Sequence, residues 1–238
     1  MKTKFLNNFI PPILLYSNWV DRYFRYKRNN VIKKKITYEK KNYNRAAFIG
    51  RALNKFKINP MYLEIGCDQN DVFNSIPLIP SNKIGVDPNS GGTHRMTSDD
   101  FFKQNDKSFD VIFIDGLHTF EQTQKDIINS LKILNTNGII FIHDLLPADE
   151  IDADRSRYLP GWSGDVWKVS LELSQSEGLD FKIVNIDTGV GILKKNENYE
   201  YKKILEIKNK NFDDFYDKYL DQLPVISSLE AFNFIDTN

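Results

Sequence analysis

Cysteine is almost missing from the 238 residues. Cys67 stands alone, which excludes an internal disulfide and fits a reducing compartment, so the cytoplasm is the expected location. Histidine is scarce, and any imidazole chemistry must fall on His94, His118 or His143. No long apolar run is present. The best candidate, FIPPILLYSNWV at 9–20, is too short to cross a bilayer and is broken by Pro11 and Pro12. It also lacks the uninterrupted core and small-residue cleavage site of a signal peptide. Net charge is missing too, with 32 basic residues against 32 acidic, and no nucleic-acid partner is expected. Finally, the dinucleotide fingerprint G-x-G-x-x-G is absent. After the first strand the chain reads GCDQND, and Asp68 stands where a second glycine would admit a pyrophosphate.

What is present is enough for one substantial domain: 41% hydrophobic and 13% aromatic residues. Charge is unevenly spread. Residues 1–45 carry 12 Lys/Arg and 2 Asp/Glu, and the remainder is correspondingly acidic. Residues 1–44 read as a basic, aromatic extension, 45–195 as the main domain, and 196–238 as a helical C-terminal extension. The basic head suits peripheral contact with an anionic membrane or a lipid-linked acceptor. It suits equally a solvated helix packing its aromatics on the domain.

The chain is organised around FDVIFIDGLHTFEQTQKDIINSLKILNTNGIIFIHDLL, residues 109–146. Two apolar runs flank an amphipathic stretch, the pattern of a strand, helix and parallel strand. Phe120, Ile127, Ile128, Leu131 and Leu134 share one helical face. Thr119 and Gln122 have the spacing of a capping box, and Asn137-Gly138 suits the exit from the helix. Each apolar run ends in chemistry: Asp115 and His118 after the first, His143 and Asp144 after the second. Parallel strands set those ends side by side, at the edge where open α/β sheets bind ligands.

The rest repeats the theme. RAAFIGRALNKF (45–56) predicts a helix against the sheet, and MYLEIG (61–66) a strand ending in an acid and a glycine. KIGVD (83–87) is a second such strand, Met96-Thr97 a short third, and Ser98 the N-cap of a helix over SDDFF. Ala148 to Tyr158 reads as an exposed loop. Residues 161–176 lead into a helix. FKIVNI (181–186) and VGIL (190–193) form a hairpin around Asp187-Thr188-Gly189. The expected fold is α/β: a Rossmann-like, seven-stranded, mostly parallel sheet with helices on both faces and a reversed terminal strand at its edge.

EIG at 64–66, VD at 86–87, SDDFF, IDGLHTFEQTQKDI, NGIIFIHDLLP, GDVWK and DTGVGIL stand in an order that resembles class I S-adenosylmethionine (SAM)-dependent methyltransferases. The likeness is to small-molecule and sugar O-methyltransferases with a DGLH…HD signature, and it covers roughly residues 45–195. It implies SAM as cofactor, with Glu64, Gly66, Cys67 and Asp115 near its methionine part, Asp87 on the ribose and Asp99 near the adenine. It implies a small-molecule or sugar hydroxyl as acceptor, in the manner of surface-polysaccharide biosynthesis. A hydroxyl near pH 7 needs a base or a metal. His118 or His143 can be the general base. Alternatively Asp115, His143 and Asp144 bind Mg²⁺ or another divalent ion, or these groups form a structural network. Asp165, Trp167 and Lys168 fall near the acceptor or serve as cap and core, and Trp162 can stack on a sugar. Two other functions stay open: a non-catalytic binding module of the same fold, and, against the missing glycines, a nicotinamide-dependent oxidoreductase. A homo-oligomer is compatible with either extension.

Overall fold

The computed structural model describes residues 34–157 and 162–237; the basic head before Lys34 lies outside them. The domain is built on a seven-stranded sheet. Helix α1 (Arg45–Leu53) enters first, capped by the Asn44 side chain, which accepts from the Ala46 amide. Strand β1 (Tyr62–Ile65) follows, then a short helix α2 (Asp71–Ser75) and β2 (Lys83–Val86). Helix α3 (Ser98–Gln104) leads to β3 (Phe109–Ile114), α4 (Phe120–Ile133) and β4 (Leu134–Ile142). Helix α5 (Lys168–Ser174) precedes the β5 (Glu177–Val184) and β6 (Val190–Glu200) hairpin. After a string of short helical turns over 205–222, the chain ends in β7 (Val225–Ile226) and helix α6 (Ser228–Asp236).

The strand order is β2-β1-β3-β4-β6-β5-β7. All strands run parallel except β6, which is antiparallel to both β4 and β5. The expected reversed strand is therefore present, but it lies inside the sheet, and β7 from the C-terminal extension holds the rim. The short third strand expected at Met96-Thr97 is instead a single bridge between Val86 and His94.

The strands that carry the site are apolar on both faces, as buried parallel strands must be. One face packs under α3, α4 and α5 through Leu63, Ile112, Ile140 and Leu131. The other packs under α1, α2 and α6 through Tyr62, Phe113, Phe141 and Phe48. Two capping expectations are corrected. Thr97, not Ser98, caps α3, accepting from the Asp100 amide. Thr119 occupies the N-cap of α4 but makes no side-chain cap bond. The Phe120 amide donates instead to Asp165, 45 residues away, at 2.7 Å. A longer-range and charged acceptor displaces the local one. The exit of α4 is corrected as well: the helix stops at Ile133, and Asn137-Gly138 lies within β4, where the pairing with β3 slips register.

Pairing sets the strand ends level. Ile65 pairs with both Val86 and Ile114, and Ile114 with Ile142. The next residues, Gly66, Asp87, Asp115 and His143, thus share one edge. Because β6 runs backwards, the β5–β6 turn reaches the same edge.

Candidate active site

Four expected residues meet at the ends of β3 and β4. Asp115 Oδ1 lies 3.4 Å from His118 Nε2 and 3.3 Å from His143 Nδ1. Asp144 Oδ2 lies 3.1 Å from His118 Nδ1, and its Oδ1 3.2 Å from His143 Nδ1. The same His118 nitrogen makes a short contact with the Trp162 carbonyl, and the Trp162 ring stacks on the imidazole at 5.3 Å. The carboxylates thus bridge the two imidazoles. His118 is a quarter exposed and lines a small cleft with Leu117, Thr123 and Val166. His143 is 9% exposed and boxed in.

Three residues that the sequence did not single out as site groups complete the cluster. Arg45 Nη2 pairs with Asp115 at 3.4 Å and Nη1 with Asp187 at 2.9 Å. Its Nη1 also lies 3.2 Å from His143 Nε2. Thr188 Oγ1 donates to Asp144 Oδ1 at 2.6 Å. An arginine only donates, so the neutral His143 ring accepts from Arg45. The protonated ring has Asp187 Oδ1 within 3.6 Å instead.

Electrostatics follow from crowding. Burial alone would lower both histidines, but the charges of Asp144 and Asp115 outweigh it. His118 is raised, and His143 is raised well above the usual imidazole value. Burial would raise Asp115 and Asp144, but the imidazoles, with Arg45 beside Asp115, hold both below the usual carboxylate range. Three carboxylates here, Asp115, Asp144 and Asp187, face one permanent cation, Arg45. Two negative charges remain, which two imidazole protons or one divalent cation would balance. One carboxylate oxygen or imidazole nitrogen each from Asp115, His118 and Asp144 lie within 4.8 Å of one another. In that grouping His118 takes the place that the sequence reading assigned to His143.

The residues expected to cradle a cofactor lie at the neighbouring strand ends. Gly66 has φ +88°, and a Cβ there would fall 2.0 Å from the Asp115 carbonyl. Glycine is required because the β1 and β3 ends pass so closely. Asp87 is buried and accepts from the amides of Asn89, Ser90 and Asp68 at 2.7–3.0 Å. Asp99 sits on the first turn of α3 and accepts from Gln122 at 3.1 Å. Two expected residues are turned inward. Glu64 is 1% exposed and accepts from the Tyr62 hydroxyl at 2.6 Å. Burial, with the Asp115 charge, pushes its carboxyl up to about 7. Cys67 is buried, and burial followed by the Glu64 charge pushes its thiol up, away from the reactive thiolate.

Asp165 and Lys168 are also buried and bonded to each other at 3.2 Å. Asp165 caps α4, and Lys168 holds the Lys208 carbonyl. Trp167 packs on Phe215. These three act as cap and core, one of the two readings open for them. The 148–157 loop is not simply exposed: Ala153 is buried, and Asp152 accepts from Ala148 and Ser163.

Residues 81–145, from β2 to just past β4, match the family model of a methyltransferase domain. No curated protein matches the chain. Cofactor-bound Rv0187 from MTB is 14% identical, with a TM-score of 0.50 over 68% of this chain and 84% of its own. SAH-bound methyltransferase PaMTH1 from Podospora anserina is 18% identical, with a TM-score of 0.45 over 63% and 77%. An O-methyltransferase from Bacillus cereus in complex with SAH is 11% identical, with a TM-score of 0.43 over 81% and 96%. Residues 81–145 thus resemble a methyltransferase domain, and the chain shares its fold with cofactor-bound Rv0187.

Proposed function

We propose that the chain transfers a methyl group from SAM to a hydroxyl of a small molecule or sugar, and that Asp115, His118 and Asp144 hold a divalent cation beside that hydroxyl. The observation that carries this reading is the meeting of those three residues at the sheet edge beside Gly66 and Asp87. The donor set fits a divalent ion. It offers two carboxylates and one imidazole, and a divalent ion would take the place of the two imidazole protons in balancing the cluster's charge. Bound there, such an ion supplies Lewis acidity to an acceptor hydroxyl.

SAM supplies the methyl group on a sulfonium. The chain's part is to bind, orient and handle one proton. Asp87, fixed by three amides at the end of β2, is the acid assigned to the ribose. Asp99, on the first turn of α3, is the residue assigned to the adenine. The acidic edge favours a cationic cofactor over a pyrophosphate, which supports SAM over a nicotinamide dinucleotide. His118 faces the cleft, and Asp115 and Asp144 fix its ring. Where no metal is bound, the neutral His118 ring, keeping its Nδ1 proton on the Trp162 carbonyl, is the candidate to take the acceptor proton at Nε2. His143, boxed in by Arg45, Thr188 and both carboxylates, orients them. Proximity of the two substrates supplies much of the rate.

Trp162 stacks on His118, a residue of the cleft, which supports a sugar or aromatic acceptor. Lone, buried Cys67 supports a cytoplasmic setting. No helix among the described residues is long and apolar enough to cross a membrane. The test is transfer of labelled methyl from SAM to a panel of sugars, catechols and glycolipid precursors, with and without Mn²⁺. Asp115→Asn and His118→Ala are expected to lower the rate by roughly 10²–10⁴. Binding of SAH with no transfer to any acceptor would favour the binding-module reading.

A further inference from the structure

The tip of the β5–β6 hairpin is strained in an unusual way. Asp187 and Thr188 have φ of +48° and +56°. Asp144, which faces them, has φ +64°. Aspartate tolerates the left-handed region, but a β-branched side chain does not do so readily. Among the described residues Thr188 is the one β-branched residue there. Hairpin tips of this kind favour Asn-Gly or Asp-Gly.

Docking of the tip does not explain the threonine. Backbone groups do that work: the Leu146 amide donates to the Thr188 carbonyl at 2.8 Å, and the Leu145 amide to the Gly189 carbonyl at 3.2 Å. A Cβ on Gly189 would fall 2.5 Å from the Leu146 nitrogen. The threonine hydroxyl does something else. Its nearest acceptor is Asp144 Oδ1 at 2.6 Å, with the Asp187 carbonyl at 2.7 Å, and the Ser163 hydroxyl, which donates to Asp152 at 2.9 Å, lies 3.2 Å from the same Asp144 oxygen. With Oδ1 occupied, Oδ2 is turned towards His118. Its neighbour Asp187 meanwhile anchors Arg45 at 2.9 Å.

We propose that Thr188 is a positioning residue. Its hydroxyl, held by a backbone conformation that threonine adopts only under strain, fixes the Asp144 carboxylate so that Oδ2 faces Asp115 and His118. The inference rests on the reading of those three as a divalent-cation site. Strained residues that persist at a site commonly serve its geometry, and partners behind metal-holding carboxylates set affinity.

The test measures Mn²⁺ affinity by electron paramagnetic resonance, SAH affinity by calorimetry and thermal midpoint, on wild type, Thr188→Val, Thr188→Ser and Thr188→Gly. Thr188→Val keeps the shape and loses the hydroxyl. It should weaken Mn²⁺ by about 10-fold or more and leave SAH affinity unchanged. Thr188→Ser keeps the hydroxyl and should hold Mn²⁺ within about 2-fold of wild type. Thr188→Gly relieves the backbone, so it should melt above Thr188→Val while binding Mn²⁺ as weakly. Wild-type Mn²⁺ affinity in Thr188→Val would overturn the inference, as would equal losses in the serine and valine variants. A wild-type chain that binds SAH but no Mn²⁺ also overturns it and leaves methyl transfer standing. A chain that fails to bind SAH overturns the transfer reading.

Discussion

Glu64 shows how a buried charge records itself in stability. Its carboxyl sits behind the β1 end, pushed up to about 7 by burial and by Asp115, against an ordinary value of 4.5. The native state therefore holds a proton that the unfolded chain releases between those values. Stability is full below about 4.5 and is lost as pH rises through about 7. Glu64→Gln keeps an acceptor for the Tyr62 hydroxyl and removes the titration. Denaturant unfolding from pH 5 to 8.5 should show the variant gaining on wild type with rising pH, by roughly 3 kcal/mol at the top of the range. Parallel curves would contradict this account of Glu64. At the same scale lies what the sequence concealed. Asp115, His118, His143 and Asp144 were legible because each ends an apolar run. Arg45 was not, because nothing local marks it: it opens an ordinary amphipathic helix and meets Asp115 only through packing of α1 across the sheet. Thr188 did carry a signal, since threonine stands where a tight turn favours glycine.

Among elements, α4 shows why local patterns mislead. Thr119 and Gln122 have capping-box spacing, yet Gln122 turns to Asp99 and Asp126 at 3.1 Å each, and Asp165 caps the helix from α5's lead-in. Asp165 also pairs with Lys168 and Arg155. Asp165→Ala removes a cap and leaves the Lys168 ammonium buried without its partner. A loss of about 3–5 kcal/mol is expected. Thr119→Ala should cost under about 0.5 kcal/mol, because its hydroxyl caps nothing. Chemical denaturation of both variants checks the contrast, and equal losses would contradict it. The strands were easier to read than the caps. Their burial on two faces forces a near-continuous apolar run, whereas a cap can be supplied from anywhere the fold brings an acceptor.

For the whole molecule, the two extensions are part of the site's frame. Residues 36–39 cross the ends of β4 and β5, bonding to Ala148 and Asn185. Glu39 accepts from the Ser228 amide and makes a short contact with its hydroxyl. Helix α6 packs on α1 through stacked Phe48 and Phe232, and Arg51 pairs with Asp236. The C-terminal extension therefore braces the helix that carries Arg45. Ending the chain at Leu223 removes β7 and α6 and uncovers Phe48. Hydrogen exchange should then rise across α1 and residues 34–44 while α4 stays protected; unchanged exchange in α1 would contradict the bracing role. Composition marked both extensions as distinct from the main domain. It held no information on where they pack, because that depends on contacts between residues nearly 190 positions apart, as between Glu39 and Ser228.

The central claim is that the level ends of β1 to β4 form one transfer site. Anomalous diffraction from a crystal soaked with SAH and Mn²⁺ tests it most directly. The account predicts a manganese peak bonded by Asp115, His118 and Asp144, with SAH beside it along Gly66 and Asp87. SAH bound elsewhere, or no manganese between those three residues while His118 and Arg45 keep their places, would contradict it.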